Sequence, residues 1–264
     1  MYETRYHRPT TLAEAVALFT PDARYISGGQ TLLPTMKQRL AAPSDLIDIG
    51  RLPELKGIAV AADRVTIAGA VTHAEVAASA DVAKALPALA ALAGGIGDPA
   101  VRAMGTIGGS LANNDPAADY PAGALALGAT IHTNRRRIAA ADFFKGLFST
   151  ALEDGEIVTK VEFPVPAKAA YQKFPNPASR YAMAGVFVAQ LKVGAVRVAV
   201  TGAGDAGVFR AAAIEEALAK SWSPVAIDAV AIAEDGLLSD IHATAAYRAN
   251  LIKVMARRAV AAAV

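Results

Sequence analysis

Apolar positions near the N-terminus follow two spacings. Leu12, Val16 and Phe19 share one helical face behind Thr11-Leu12-Ala13-Glu14, the spacing of a capping box, so a short amphipathic helix is predicted from near residue 12. Arg24-Tyr25-Ile26 is strand-like. In the following Ser27-Gly28-Gly29-Gln30-Thr31-Leu32-Leu33-Pro34, two glycines break the strand and Pro34 can open a helix. Ser44 to Ile49 reads as a further strand. Val65 to Ala68 is another, and Thr72-His73-Ala74-Glu75 repeats the helix signature. A helix is predicted from Val82 to Gly94-Gly95, and Asp98-Pro99 caps a short one that stops at Gly105. Thr106-Ile107-Gly108-Gly109-Ser110 reads as a second glycine turn, with strands at Ala129 to Thr133 and Glu156 to Phe163. Val186-Phe187-Val188 and Val196 to Val200 flank Gly194-Ala195 as a hairpin with period-2 alternation. A helical stretch follows from Ala211 to Lys220, and a last helix is predicted from about Ala245 to Ala262. Breaks at Gly50 to Glu54 and at Pro164-Val165-Pro166 divide the chain into residues 1–55, 56–166 and 167–264. Mixed strands and helices argue for α+β modules rather than one doubly wound sheet.

Composition narrows the chemistry. Of 264 residues, 54% are hydrophobic and 19% charged, which excludes a disordered chain. The longest apolar stretch, Ala85 to Gly97, is broken by Pro87 and by glycines, and is shorter than the ~20 residues a spanning helix needs. No apolar run follows the charges of Met1 to Arg5, so a cytoplasmic location is expected. With no cysteine there can be no disulfide, no thiolate-held iron–sulfur cluster or zinc, and no cysteine nucleophile; redox chemistry requires a bound organic cofactor. The net charge is +2 and the basic residues form no stripe, which argues against nucleic acid as a partner. His7, His73, His132 and His242 lack ligand spacing and read as surface or packing residues. Arg135-Arg136-Arg137 reads as a solvated strand connection.

Three glycine segments remain. Gly202-Ala203-Gly204-Asp205-Ala206-Gly207 is a literal G-x-G-x-x-G before a helical stretch, with Asp228 further on. The preceding strand alternates and carries Arg197, unlike a strand buried on both faces, and Ser223 to Ile227 is a poor second strand. A plain glycine-rich loop is the favoured reading; a nicotinamide-dependent oxidoreductase is the alternative. The segments at Gly28-Gly29 and Gly108-Gly109 are more informative as a pair. Without Cβ atoms the backbone can approach a diphosphate, successive N–H groups can form an anion nest, and Ser27, Thr31, Thr106 and Ser110 can add hydroxyls. Downstream, Asn113-Asn114-Asp115-Pro116-Ala117-Ala118-Asp119-Tyr120-Pro121 reads as a capped, proline-stiffened loop.

Together, Ser27 to Lys37, Asp98-Pro99 with Met104 to Ser110, and Asn114 to Asp119 resemble the FAD-binding medium subunit of molybdenum hydroxylases, above all the aerobic carbon monoxide dehydrogenase type. The likeness runs from Tyr6-His7-Arg8-Pro9 to Val254 through Val260. It implies a two-part FAD-binding domain of the PCMH/vanillyl-alcohol-oxidase type, with a C-terminal α+β domain like that of the carbon monoxide dehydrogenase flavoprotein. It also implies FAD as cofactor, and an iron–sulfur small subunit and a molybdopterin large subunit as partners in a hetero-oligomer. Electrons would pass from the clusters through FAD to an external acceptor. The resemblance places Ser27, Gly28, Gly29, Gln30, Thr31 and Leu32, and Thr106, Gly108, Gly109 and Ser110, at the cofactor, with Arg24, Tyr25 and Ile26 beside the first motif. Asn114 and Asp119 follow the second, and Ile157 and Val158 lie along the wall. Lys173 would stabilise negative charge on reduced flavin, and the Tyr181 ring would cover one face of the isoalloxazine. The family usually has asparagine at Ser110 and often histidine or threonine at Gln30, which leaves a flavin-less structural paralogue as a further alternative.

Overall fold

Three principal sheets follow one another along residues 1–264, all described by a computed structural model. The first is parallel, with β1 (Arg5–His7), β2 (Ala23–Ile26) and β3 (Asp45–Asp48) in the order β1-β3-β2. Helix Leu12–Ala17 is capped by Thr11, whose hydroxyl accepts from Glu14 N at 3.2 Å. The Glu14 carboxylate reaches back to Thr10 N at 2.7 Å rather than to Thr11, so the box closes one residue early. After the first glycine segment the helix is Leu32–Lys37, starting two residues before Pro34; proline is tolerated in a first turn because its missing N–H would have no partner.

The second sheet is antiparallel and comprises β4 (Ile58–Val60), β5 (Arg64–Ala68), β6 (Thr130–Thr133), β7 (Arg137–Ala139) and, after a small hairpin of β8 (Phe144–Gly146) and β9 (Ser149–Thr150), β10 (Val158–Pro164). Its order is β4-β5-β10-β6-β7. The third is an antiparallel meander of β11 (Lys168–Pro175), β12 (Ala182–Gln190), β13 (Val196–Thr201) and β14 (Phe209–Arg210). Helix Ala245–Ala262 matches its expected range.

Two helix expectations need correction. The run from Val82 to Gly94 is two helices, Ala80–Ala85 and Pro87–Gly94, hinged at Leu86, because a residue before proline is driven out of the helical region. The second glycine segment is not a turn. It is the start of helix Ile107–Asn113, with the Thr106 hydroxyl accepting from Gly109 N at 3.2 Å.

The main core joins the second and third sheets. Val65, Ile67, Val161 and Phe163 pack with Leu89 and Leu92 and with Tyr120 and Leu127, and Phe187 and Ala199 of the third sheet close the same cluster. The other face of that sheet meets Leu251, Ile252 and Met255 of the last helix. β12 and β13 are therefore buried on both faces, and the expected period-2 alternation is absent.

The G-x-G-x-x-G segment is not a nucleotide loop, for a different reason from the one the alternation suggested. It leads into β14 rather than into a helix, and three of its N–H groups are engaged within the chain: Gly202 donates to Pro116 O at 2.8 Å, Asp205 to Gly236 O at 3.0 Å and Gly207 to Gly204 O at 3.2 Å. No helix of the chain is long and apolar enough to cross a membrane.

Candidate functional site

A cleft of about 650 Å³ opens where the first and second sheets meet and is bordered by the Ser179–Tyr181 segment before β12. Its volume is in the range of cofactor and small-molecule sites. Arg24, Tyr25, Ile26, Ser27, Gly28, Gly29, Gln30, Thr31, Leu32, Thr106, Gly108, Gly109, Ser110, Asp119, Ile157, Val158 and Tyr181 all line it. Asn114 and Lys173 do not.

The two glycine segments differ in what they offer. On the first, the backbone N–H groups of Gly28, Gly29, Gln30 and Thr31 make no hydrogen bond within the chain, and Gly29 turns with φ +67°. That is a nest of donors. The second has no such nest, contrary to expectation: Ile107 N donates to Val71 O at 3.1 Å, Gly108 N to Gly69 O at 2.9 Å and Gly109 N to Thr106 Oγ1. Its contribution is shape. A Cβ on Gly108 would lie 2.6 Å from Gly69 O, whereas one on Gly109 would meet only Thr106 Oγ1, at 3.0 Å, so the bare Cα of Gly109 stands open on the cleft wall. A Cβ on Gly28 would overlap the Met104 carbonyl, so that glycine is required by contact between the two segments themselves. Thr106 Oγ1 also donates to Ser27 Oγ at 3.1 Å, tying the walls together.

Asp119 is 4% exposed and sits at the start of helix Tyr120–Leu127. Its Oδ1 accepts from the Tyr171 hydroxyl and pairs with Lys173 Nζ at 3.0 Å. Burial raises its carboxyl above the usual range, against the opposing pull of the Lys173 ammonium and the Tyr171 hydroxyl. Lys173 is thus not a cleft residue. It lies within β11, its side chain is 9% exposed, and it also donates to Gly95 O at 2.8 Å. Tyr181 is half-exposed; burial and the nearby Asp115 and Asp119 carboxylates raise its hydroxyl.

Arg24 turns its guanidinium back to Pro21 O and Ala23 O, and Tyr25 stacks on Phe19 with ring centroids 5.1 Å apart. Asn114 is buried and closes helix Ile107–Asn113 in a left-handed conformation, with its amide donating to Gly146 O and Ser149 O. The Arg135-Arg136-Arg137 run is more than a solvated connection: Arg136 Nε and Nη2 clasp the Glu156 carboxylate at 3.0 Å each. Thr133 Oγ1 and Glu153 N also donate to that carboxylate, which lines the cleft and is held down to about 2.

Sequence reasoning missed His73, Glu156 and Phe148, all on the cleft wall. The buried His73 ring lies 5.4 Å from that of Tyr120, and burial with the Arg102 charge lowers its pKa to about 4, so it is neutral. Its place in a capping box one residue after Thr72 pointed only to packing. No group of His, Cys, Asp or Glu residues could hold a metal ion.

The model of the family described as "FAD binding domain in molybdopterin dehydrogenase" matches residues 2–166. The chain is 34% identical over 275 residues to the carbon monoxide dehydrogenase medium chain of Hydrogenophaga pseudoflava, covering 98% of this chain and 96% of that one. It is 37% identical over 283 residues to the nicotine 6-hydroxylase medium subunit of Paenarthrobacter nicotinovorans, covering 97% and 95%. Its fold superimposes on a solved Cu,Mo-CO dehydrogenase in its cyanide-inactivated form with a TM-score of 0.90, at 35% identity over 99% of this chain and 98% of that one. The expected α+β fold and the resemblance drawn from the glycine segments are both borne out. With FAD as its cofactor, the chain belongs to the FAD-binding medium subunits of molybdenum hydroxylases, the flavoprotein subunits of a class of oxidoreductases.

Proposed function

We propose that the cleft holds FAD with its diphosphate on Gly28 to Thr31 and against Gly109, and its isoalloxazine towards Asp119 and Tyr181. The observation that carries this reading is the run of four successive N–H groups without partners opposite a bare glycine face. An anion satisfies such donors, and close approach of the backbone needs a missing Cβ. Bound FAD supplies chemistry no side chain here can: it accepts electrons singly and releases them in pairs. The chain's own task is to bind and orient it. Asp119, fixed by Tyr171 and Lys173, presents a hydrogen-bonding carboxyl at the cleft, and Tyr181 covers the ring from solvent.

With no cysteine to hold a cluster, the chain receives electrons from an iron–sulfur small subunit and passes them to an external acceptor. Substrate is oxidised on a molybdopterin large subunit. The relatives' names support this division, since chains this similar carry the names of carbon monoxide and nicotine enzymes. The test is affinity purification of the chain from its native cell, followed by a visible spectrum and FAD titration. Flavin absorption and two copurifying chains, one with clusters and one with molybdopterin, are expected. A chain that ignores added FAD would overturn the cofactor's placement and favour a structural paralogue, and one that alone oxidised substrate would overturn the division of labour.

A further inference from the structure

Phe148 takes no part in the donor nest or in the Asp119 cluster, yet a buried amide holds the turn that carries it. Leu147 and Phe148 form the tip of the β8–β9 hairpin, where Gly146 pairs with Ser149. Phe148 has φ +51°, a conformation bulky side chains rarely adopt and turns normally give to glycine or asparagine. Its N–H donates to Asn114 O at 3.2 Å, and the Asn114 amide reaches across the tip to Gly146 O at 2.7 Å and Ser149 O at 2.8 Å. Asn114 is 2% exposed and itself left-handed. The object so firmly held is a ring that is 61% exposed and lines the cleft. An apolar ring kept out of the core contributes nothing to the hairpin's own packing; what it can cover is a ligand. The hydroxyl of Tyr181 lies near the Asp115 and Asp119 carboxylates of the Asn114 to Asp119 segment. Two aromatic rings, Phe148 held on Asn114 and Tyr181 beside Asp115 and Asp119, therefore line the cleft next to the same short segment.

We infer that Phe148 packs on the isoalloxazine of the bound flavin, and that Asn114 is the residue that positions it. The inference rests on the placement of FAD in this cleft. It explains why Asn114, expected at the cofactor, is absent from the cleft wall: it acts through Phe148.

The test uses the full chain, FAD titration followed by flavin fluorescence, the visible spectrum of the loaded protein, and thermal unfolding without FAD. Phe148→Ala should weaken FAD by about 2- to 10-fold, the scale of one aromatic contact, and shift the visible bands. Phe148→Trp should keep affinity near that of the wild type. Asn114→Gly keeps a backbone that tolerates the left-handed turn but deletes both amide hydrogen bonds. It should reproduce the loss, and the double variant should lose no more than one single variant does. Wild-type bands in Phe148→Ala would overturn the ring contact, even if affinity fell. Losses that add in full would overturn the positioning role. A wild-type chain without FAD affinity would overturn the placement of FAD, and this inference with it.

Discussion

Gly109→Ala separates what the fold needs from what the cofactor needs. Gly109 lies in the first turn of helix Ile107–Asn113, where alanine is favoured over glycine by about 0.5–1 kcal/mol. Against that, the new Cβ would sit 3.0 Å from Thr106 Oγ1, the oxygen that caps the helix, and losing a cap costs about 1 kcal/mol. The two effects nearly cancel. Without FAD the variant should unfold within roughly 4 °C of the wild type, given about 2–4 °C per kcal/mol for a chain of this size class. FAD binding should respond very differently. A methyl group pushed into a close-packed contact costs about 1–3 kcal/mol, or roughly 5- to 150-fold in affinity.

Gly28→Ala is the control. Its Cβ would overlap the Met104 carbonyl oxygen and lie 2.7 Å from Met104 C and 2.8 Å from Gly105 Cα, so backbone must move between the two cleft walls. Both stability and FAD affinity should fall, the former by about 3 kcal/mol or more. Thermal unfolding of the FAD-free proteins and fluorescence titration with FAD give both numbers for each variant. Wild-type affinity in a folded Gly109→Ala, or a wild-type melting temperature in Gly28→Ala, would refute the reasoning.

Two further outcomes follow from buried charge. Lys173→Met leaves Asp119 buried without its ammonium, which should cost about 3–5 kcal/mol near neutral pH. The carboxyl then rises further above its unfolded value and holds its proton, a contribution present at low pH and lost as pH rises through the folded value; the melting-temperature gap to wild type should widen from pH 5 to pH 8, and adding Asp119→Asn should narrow it. Glu156 is shifted the other way, to about 2 by Arg136, so its contribution is present above the ordinary carboxylate range and lost as pH falls towards 2; Arg136→Met should flatten that acid limb of an unfolding curve.

The first glycine segment, the helix caps at Thr11, Thr72 and Asp98, and the last helix were legible because their causes are local: a hydroxyl or carboxylate three residues before its donor, a missing Cβ, a 3.6-residue period. What could not be read depends on distant partners. Nothing within Thr106 to Ser110 announces that Val71 and Gly69 take up its N–H groups, whereas those of Gly28 to Thr31 remain free. Nothing in the sequence near Lys173 shows that pairing with β12 carries the strand through Phe174, or that Lys173 meets an aspartate 54 residues earlier. β12 and β13 lost their alternation because two different helical layers cover the third sheet. Phe148 was invisible for the opposite reason. A phenylalanine at a hairpin tip obeys no pattern, and only its φ and its bonds to Asn114 mark it.

The cleft also divides its work between parts of the chain. The matched family region ends at residue 166, and every donor suited to a diphosphate lies within it. Asp119 lies within it too, but both side chains that fix its carboxyl, Tyr171 and Lys173, come from β11 beyond that limit, and Tyr181, just before β12, also lies beyond it. In the proposed placement, affinity for the diphosphate and control of the ring's surroundings would be set by different elements joined through one core, in which Phe187 and Ala199 of the third sheet pack with Leu89 and Tyr120 of the second segment.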